Sequence, residues 1–177
     1  MRQLSPNKFL TKQFFTKTIA TVTTLLLLSS TAMAFTEMDG KKVALEKQLG
    51  GGKWSIVEIW ASDCGVCRTH MPSMVKLDDK LDNARIVGIT LDGQKGVENA
   101  QAMIKEYNMK FKNIVSNPIE VNAWMLENIG EPLIGTPTFI IFDEKGKLVA
   151  AQPGPVKTES LETFIKENSQ QEEDTQG

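Results

Sequence analysis

Short apolar runs alternate with amphipathic stretches along most of the chain. The segment Trp54–Trp60 is almost continuously apolar, which predicts a buried strand, and residues 85–91 and Thr138–Phe142 share that character. Apolar residues at helical spacing follow Cys64 and recur over Val97–Tyr107. The middle of the chain therefore alternates strand and helix, which is typical of an α/β protein.

Weaker patterns predict the remaining elements. Asp39-Gly40 lies between short extended segments and indicates a hairpin turn near the start of the domain. Residues 111–115 suit a short strand, and Pro118 suits the first turn of a helix that follows it. After the last strong strand, a four-residue turn predicts a hairpin with residues 147–151, and Thr158 is suited to cap a terminal helix.

The first 34 residues differ in character from the rest of the chain. They contain four basic residues and no acidic one, and an apolar stretch over residues 19–28 precedes Ala32-Met33-Ala34. This order is that of a secretory signal peptide cleaved after Ala34. The apolar run is about half of the ~20 residues that a membrane span needs, so an uncleaved inner-membrane anchor is the less favoured alternative. We predict export, in bacterial style to the periplasm.

The remaining charge is acidic. Without residues 1–34 the chain has 16 basic and 22 acidic residues, a net charge of −6. Nucleic-acid binders are normally basic, so a nucleic-acid partner is not expected. Residues 169–177 are polar and acidic apart from one glycine, which predicts a disordered tail. We therefore predict one globular domain over residues 35–168.

The two cysteines of the chain, Cys64 and Cys67, have C-x-x-C spacing where a strand gives way to a helix. A cysteine at a helix N-terminus faces unpaired N–H groups and the positive end of the dipole, which stabilise its reactive thiolate. Cys67 lies one turn later on the same face and can form a disulfide with Cys64. This pattern predicts thiol–disulfide chemistry.

Other interpretations of the cysteine pair stay open on spacing alone. A structural zinc site needs four ligands, and His70 is the only other soft ligand nearby. A purely structural disulfide would close a very short loop, which removes little chain entropy. Two thiolates also suit Cu(I), so a copper chaperone is the alternative from a different class of protein.

Residues 36–166 resemble the thioredoxin superfamily, specifically its exported TlpA/ResA-like branch. The region 97–129 resembles the helix and strand–helix insertion of that branch. The other matching features are the hairpin around Asp39-Gly40, Trp60-Ala61-Ser62 before the cysteines, Pro72 eight residues after Cys64, and Gly135-Thr136-Pro137-Thr138-Phe139, which is similar to the cis-proline loop.

The resemblance implies an α/β thioredoxin-like three-layer sandwich with a central mixed sheet, an N-terminal hairpin and a strand–helix insertion. It implies that Cys64 attacks a substrate disulfide and that Cys67 resolves the mixed disulfide, leaving a Cys64–Cys67 disulfide. Pro137 would be cis, and the backbone of Thr136 would pair with an extended substrate segment. No organic cofactor or metal is required, and the expected partners are a protein thiol or disulfide substrate and a membrane-embedded electron donor.

Three further residues near the pair have competing interpretations. Glu58 matches the buried acidic position of thioredoxins, which implies a proton acceptor for Cys67 with a pKa raised by burial; the alternative is an exposed glutamate on a strand edge. Asp63 would disfavour a thiolate on Cys64, although it could also interact favourably with the helix N-terminus. We predict His70 to be a surface residue of the helix.

The most specific function that these features favour is a periplasmic disulfide reductase. A periplasmic dithiol oxidase or isomerase, or a cytochrome c maturation thioredoxin, is the alternative within the same chemistry. Gly65-Val66 and Thr136-Pro137-Thr138 argue mildly against the cytochrome c type, whose members often have other residues at both places.

Overall fold

The computed structural model describes residues 35–175, with side chains to residue 170. The predicted signal peptide, residues 1–34, lies outside the described residues. No helix within residues 35–175 is both long and apolar enough to cross a membrane. The elements are β1 (Phe35–Thr36), β2 (Lys42–Val43), β3 (Trp54–Trp60), α1 (Gly65–Asp78), β4 (Ala84–Thr90), α2 (Val97–Tyr107), β5 (Lys112–Val115), α3 (Pro118–Asn128), β6 (Thr138–Phe142), β7 (Leu148–Pro153) and α4 (Thr158–Thr175).

The described strands form one mixed sheet in the order β2-β1-β5-β4-β3-β6-β7. The pairs β3–β4 and β4–β5 are parallel, whereas β6 runs antiparallel to β3. Strands β1 and β2 form the predicted N-terminal hairpin, and β6 and β7 form the second hairpin. The sheet is therefore mixed, as the resemblance implied.

Helices cover both faces of the sheet and complete three layers. Buried side chains of α1, α2 and α4 pack on one face, and those of α3 pack on the other. The strand–helix insertion is present as β5 and α3, with β5 beside β4 and α3 on the opposite face from α1. The predicted fold class is confirmed.

Strand β3 is buried on both faces, and its alternation decides which side chains meet α1. Ile56 and Trp60 belong to the apolar cluster that includes Cys67 of α1. Val57 and Ile59 belong to the cluster on the α3 side. Because successive side chains of a strand point to opposite faces, Glu58 lies on the same face as Ile56 and Trp60. The one acidic residue of β3 is thus directed into the layer that holds Cys67.

The C-terminal segment differs from its prediction. Disorder was predicted for residues 169–177, but α4 continues without a break to Thr175. Glutamine and glutamate, which make up much of this stretch, are good helix formers, and extending an existing helix needs no new nucleation. Polar composition alone suggested disorder. The preceding turns of α4 are held against the core by the buried Leu161 and Ile165, and the tail continues that helix.

Candidate active site

Cys64 occupies the N-cap of α1. Its backbone is extended, with φ −77° and ψ 105°, and the Cys67 N–H donates a hydrogen bond to its Sγ over 3.0 Å. The Cys64 carbonyl accepts from the Arg68 N–H over 3.0 Å, which is the first bond of the helix. The sulfur thus lies where free N–H groups and the helix dipole stabilise negative charge.

The two cysteines differ in accessibility. They are joined as a disulfide, with their Cα atoms 5.2 Å apart. Cys64 is partly exposed, whereas Cys67 is 0% exposed and packs in the core with Met71 and Met74. An incoming sulfur atom can therefore reach Cys64 and not Cys67 without rearrangement of the helix.

The loop before β6 lies against the cysteine pair. Its Thr136–Pro137 peptide bond is cis, as the resemblance implied. The carbonyl oxygen of Thr136 is 3.6 Å from Cys64 Sγ, so residues 72 positions apart in sequence meet at the sulfur. Two exposed apolar side chains are close in sequence to these groups. Val66, between the cysteines, is 49% exposed, and Ile134, two residues before Thr136, is 75% exposed.

The carboxylate of Asp92 fixes the segment that leads into Cys64. Its Oδ2 accepts the Ser62 N–H over 3.0 Å, and its oxygens also accept the hydroxyls of Ser62 and Thr90. Asp92 was not among the residues that the sequence pattern indicated. Its position in sequence could have indicated this role. Asp92 follows β4 and Ser62 follows β3, and neighbouring parallel strands end at the same edge of the sheet.

Glu58 is fully buried, so the interpretation as an exposed strand-edge residue is wrong. Its side chain is 0% exposed, and neither carboxylate oxygen has a hydrogen-bond partner among the described groups. Burial raises the pKa of Glu58, while the neighbouring His70 acts in the opposite direction. A buried carboxyl group with a raised pKa is suited to accept and release a proton.

The prediction that His70 lies on the helix surface is also wrong. Its side chain is only 12% exposed, and its Nδ1 lies 3.9 Å from Glu58 Oε1. Its Nε2 is 2.6 Å from the carbonyl oxygen of Val156, and its ring packs edge-on against Phe139. The interaction with Glu58 raises the pKa of His70, with a smaller contribution from the Val156 carbonyl, against the effect of burial.

The charged residues nearest the cysteines in sequence face outward. Asp63 is exposed, and Arg68 forms an ion pair with Glu106 over 2.6 Å while its guanidinium lies 5.6 Å from the centre of the Tyr107 ring. Within the part of the chain that the structure describes, no cluster of three or more histidine, cysteine or acidic side chains could hold a metal ion. The site is built from the two sulfurs, the cis-proline loop and the Glu58–His70 pair.

Comparison with known proteins identifies the family. Residues 29–151 match the sequence profile described as the AhpC/TSA family. The chain belongs to the AhpC/TSA family. The match includes the cysteine pair, the buried acid and the cis-proline loop, and it ends within β7.

The chain is also similar to curated thiol-disulfide oxidoreductases and thioredoxin-like proteins. The chain is 27% identical over 131 residues to the thiol-disulfide oxidoreductase ResA of Bacillus thuringiensis subsp. konkukian, covering 74% of this chain and 71% of that one. It is 26% identical over 127 residues to the thioredoxin-like protein YneN of Bacillus subtilis, covering 71% and 69%.

Solved structures show the same fold. A thiol:disulfide interchange protein of the thioredoxin family from Chlorobium tepidum aligns with a TM-score of 0.61 at 22% identity, covering 75% of this chain and 92% of that one. A thioredoxin-related protein from Neisseria meningitidis serogroup B has a TM-score of 0.61 at 23% identity, covering 75% and 96%. The family match, the thioredoxin-like fold and the cysteine pair together identify this chain as a thiol–disulfide oxidoreductase.

Proposed function

We propose that the protein is a periplasmic disulfide reductase in which Cys64 attacks and Cys67 resolves. The observation that carries the proposal is the asymmetry of the pair. Cys64 is partly exposed at the N-terminus of α1 and beside the cis-proline loop, whereas Cys67 is buried. The attacking sulfur must be accessible and its thiolate stabilised, and of the two cysteines only Cys64 is both partly exposed and at the helix N-terminus.

The reaction begins with the reduced enzyme. The Cys64 thiolate attacks one sulfur of the substrate disulfide, the substrate S–S bond breaks, and the first substrate thiolate leaves and takes up a proton. Cys67 then loses its proton and attacks Cys64 Sγ, which releases the second substrate thiolate. The enzyme ends with the Cys64–Cys67 disulfide, and two electrons have passed to the substrate.

Glu58 is proposed to accept the proton of Cys67. Its burial on the α1 side of β3 places it in the layer that contains Cys67, and burial raises its pKa, which favours uptake of a proton. An exposed thiol could give its proton to water. The thiol of Cys67 is buried, so its proton must pass to a group inside the protein.

The cis-proline loop is proposed to hold the substrate. The Thr136 carbonyl beside Cys64 is positioned to accept a backbone N–H from an extended substrate segment. Val66 and Ile134, the exposed apolar residues nearest to this loop and the cysteines in sequence, would favour a substrate with apolar side chains near its disulfide. Protein substrates with locally unfolded, disulfide-bonded segments fit these features.

The surroundings of Cys64 support the proposed direction of electron flow. The helix N-terminus stabilises its thiolate, but the exposed Asp63 alongside adds negative charge, and no histidine or lysine lies between the cysteines. This balance favours a potential near that of thioredoxin, about −270 mV, rather than that of a strong oxidant. Such a reductase in an oxidising periplasm needs a membrane-embedded electron donor.

Equilibration with glutathione buffers tests both the activity and its direction. The wild-type protein should exchange with glutathione and have a reduction potential of about −270 mV, whereas Cys64→Ser should not form the internal disulfide. A potential more positive than about −170 mV would favour an oxidase instead.

Export is tested independently of the chemistry. The basic leader and Ala32-Met33-Ala34 predict that the exported protein begins at Phe35. Mass spectrometry of the protein from a periplasmic extract should find that N-terminus. An intact Met1 in the membrane fraction would instead show an uncleaved anchor.

A further inference from the structure

Glu58 and His70 form an isolated polar pair inside an apolar layer. The imidazole comes from α1 and the carboxylate from β3, and their nearest atoms, Nδ1 and Oε1, are 3.9 Å apart. Neither of these atoms, nor Glu58 Oε2, has a hydrogen-bond partner among the described groups. Buried polar atoms are usually satisfied, so this cluster requires a functional or electrostatic explanation.

The opposite side of the imidazole determines its protonation pattern. Nε2 lies 2.6 Å from the Val156 carbonyl oxygen, which can only accept a hydrogen bond. Nε2 must therefore hold a proton, and in the neutral ring Nδ1 is then unprotonated. If Glu58 were also ionised, a lone pair on Nδ1 would face a buried carboxylate. One proton between Nδ1 and Glu58 removes that repulsion.

We propose that Glu58 and His70 share one proton in the resting enzyme, and that this pair, rather than Glu58 alone, receives the proton of Cys67. His70 is then a positioning residue that acts through Glu58. The inference deepens the proposed function and rests on Glu58 being the proton acceptor.

Charge balance favours a pair over a single acid. With Glu58 alone, the layer would hold one net negative charge both before and after Cys67 ionises. With the pair, the net charge is zero in both states, because a neutral pair beside a thiol becomes a cationic pair beside a thiolate. Burying a net charge is costly in an apolar environment, so His70 lowers the cost of forming the Cys67 thiolate.

The proton can be followed through the cycle. In the mixed disulfide, Cys67 transfers its proton to the pair, which then holds two protons besides the one on Nε2. The Cys67 thiolate attacks Cys64 Sγ, and the departing substrate thiolate takes up one proton. The pair returns to its single shared proton, and the two electrons remain with the substrate thiols.

The surroundings of the pair leave it isolated from other charges. The elements packed against it contribute the Phe139 ring from β6, the Val156 carbonyl from the segment before α4, and Cys67 from α1. Arg68, two residues before His70, is directed to Glu106. In the described part of the chain, the only charged group that shifts the pKa of either member is the other member.

Nuclear magnetic resonance can observe the shared proton directly, because His70 is the only histidine in the 177-residue chain. A protein made without a histidine tag and labelled with 15N-histidine gives one pair of ring-nitrogen signals. We expect Nε2 to stay protonated throughout, and the midpoint of the Nδ1 titration to move to lower pH in Glu58→Gln. Identical titrations in the wild type and in Glu58→Gln would overturn the proposal.

Kinetics then test whether the pair acts in resolution. His70→Gln keeps an amide N–H that can bond to the Val156 carbonyl but removes the group that shares the proton. The pH at which resolution slows on the acid side should rise by about one to three units, the usual effect of removing a nearby opposite charge. The first attack should keep its wild-type pH profile. Lys76→Gln, which removes an exposed cation from the same helix, is the control and should match the wild type.

The two proposals fail in different ways. If Glu58→Gln resolves the mixed disulfide as fast as the wild type, the proposed role of Glu58 is wrong and the pair has no function in catalysis. If Glu58→Gln is slow but His70→Gln keeps the wild-type acid limb, only the shared-proton inference is overturned. A rate lowered equally at every pH in His70→Gln would show a structural role and would also overturn it.

Discussion

At the scale of single residues, the site depends on polar groups placed where the fold gives them few partners. Glu58 lies in a strand whose every residue is buried, and its carboxylate is 0% exposed. Burial of this kind lowers stability unless the group is neutral or paired. Glu58 therefore lowers the free energy of unfolding, and a group that serves catalysis can have such a cost in stability.

Glu58 makes stability depend on pH. Burial raises its pKa above 4.5, and the interaction with Glu58 raises the pKa of His70 above 6.5. The folded protein therefore keeps protons that the unfolded chain releases. For each group, proton binding stabilises the fold fully at a pH below the pKa of the unfolded chain, and this stabilisation is lost as pH rises through the pKa of the folded protein. Urea unfolding of the disulfide form should show a free energy that falls with pH above 4.5, and more steeply than in Glu58→Gln.

The matched control is Glu127→Gln, which alters an exposed carboxylate on α3. Its pH profile should follow that of the wild type. Parallel profiles for Glu58→Gln and the wild type would contradict the assigned environment of Glu58. Each unit by which the pKa is raised corresponds to about 1.4 kcal/mol.

The sequence indicated that Glu58 could be buried but did not indicate the burial of His70. The apolar neighbours of Glu58 in β3 indicated burial directly, because a strand with apolar residues on both faces lies inside a sheet. The position of His70 on α1 gave no such signal. Its burial depends on Phe139 and Val156, which lie 69 and 86 positions away in the chain and approach it only in the folded protein.

At the scale of elements, hydrogen bonds from polar side chains determine where helices begin and hold the segment between β3 and Cys64 in place. Ser62 is fixed to Asp92 through both its N–H and its hydroxyl, and α1 begins at the next turn. Asn117 caps α3, which carries much of the core on the opposite face of the sheet. These contacts lead to two predictions.

Asp92→Ala should destabilise the protein by about 1–3 kcal/mol, because three donors lose their acceptor and two of them belong to the segment before Cys64. It should also slow alkylation of Cys64 in the reduced enzyme, since the loop that positions the sulfur is no longer fixed. Asp82→Asn, at an exposed acidic residue, is the control for lost charge. Equal stability of the two variants would contradict this account of the loop.

Asn117→Ala should reduce the free energy of unfolding by about 1 kcal/mol. The Asn117 side chain accepts from the N–H groups of Ile119 and Glu120 over 3.1 and 3.0 Å, and alanine leaves both without that partner. Asn117→Asp retains an acceptor and should remain close to the wild type in chemical denaturation. A loss as large in the aspartate variant would show that the cap bonds are not the cause.

The boundaries of most elements followed from local chemistry. Pro118 begins α3 as predicted, and β3 and β6 span their predicted residues. Helix α4 starts at Thr158 itself, one residue earlier than a cap at that position would place it. The exception is the end of α4, where polar composition suggested disorder but the docked preceding turns continue as helix to Thr175. Local patterns predict where an element starts better than how far a packed element extends.

At the scale of the whole molecule, the sheet brings four separate segments to one site. The cysteine pair follows β3, Asp92 follows β4, the cis-proline loop precedes β6, and Val156 precedes α4. The family resemblance implied that Cys64 and Pro137 would meet. The contacts of Asp92 and His70 required the folded arrangement, because no periodicity or spacing relates these residues to one another.

The most direct test of the central claim is the trapping of a mixed disulfide. Cys67→Ser and Cys64→Ser are each incubated, in reduced form, with a disulfide-bonded protein substrate, and the adducts are mapped by mass spectrometry. Because Cys64 alone is accessible and at the helix N-terminus, Cys67→Ser should accumulate an adduct on Cys64 and Cys64→Ser should accumulate none. Equal trapping by the two variants, or an adduct on Cys67, would contradict the assignment of Cys64 as the attacking residue.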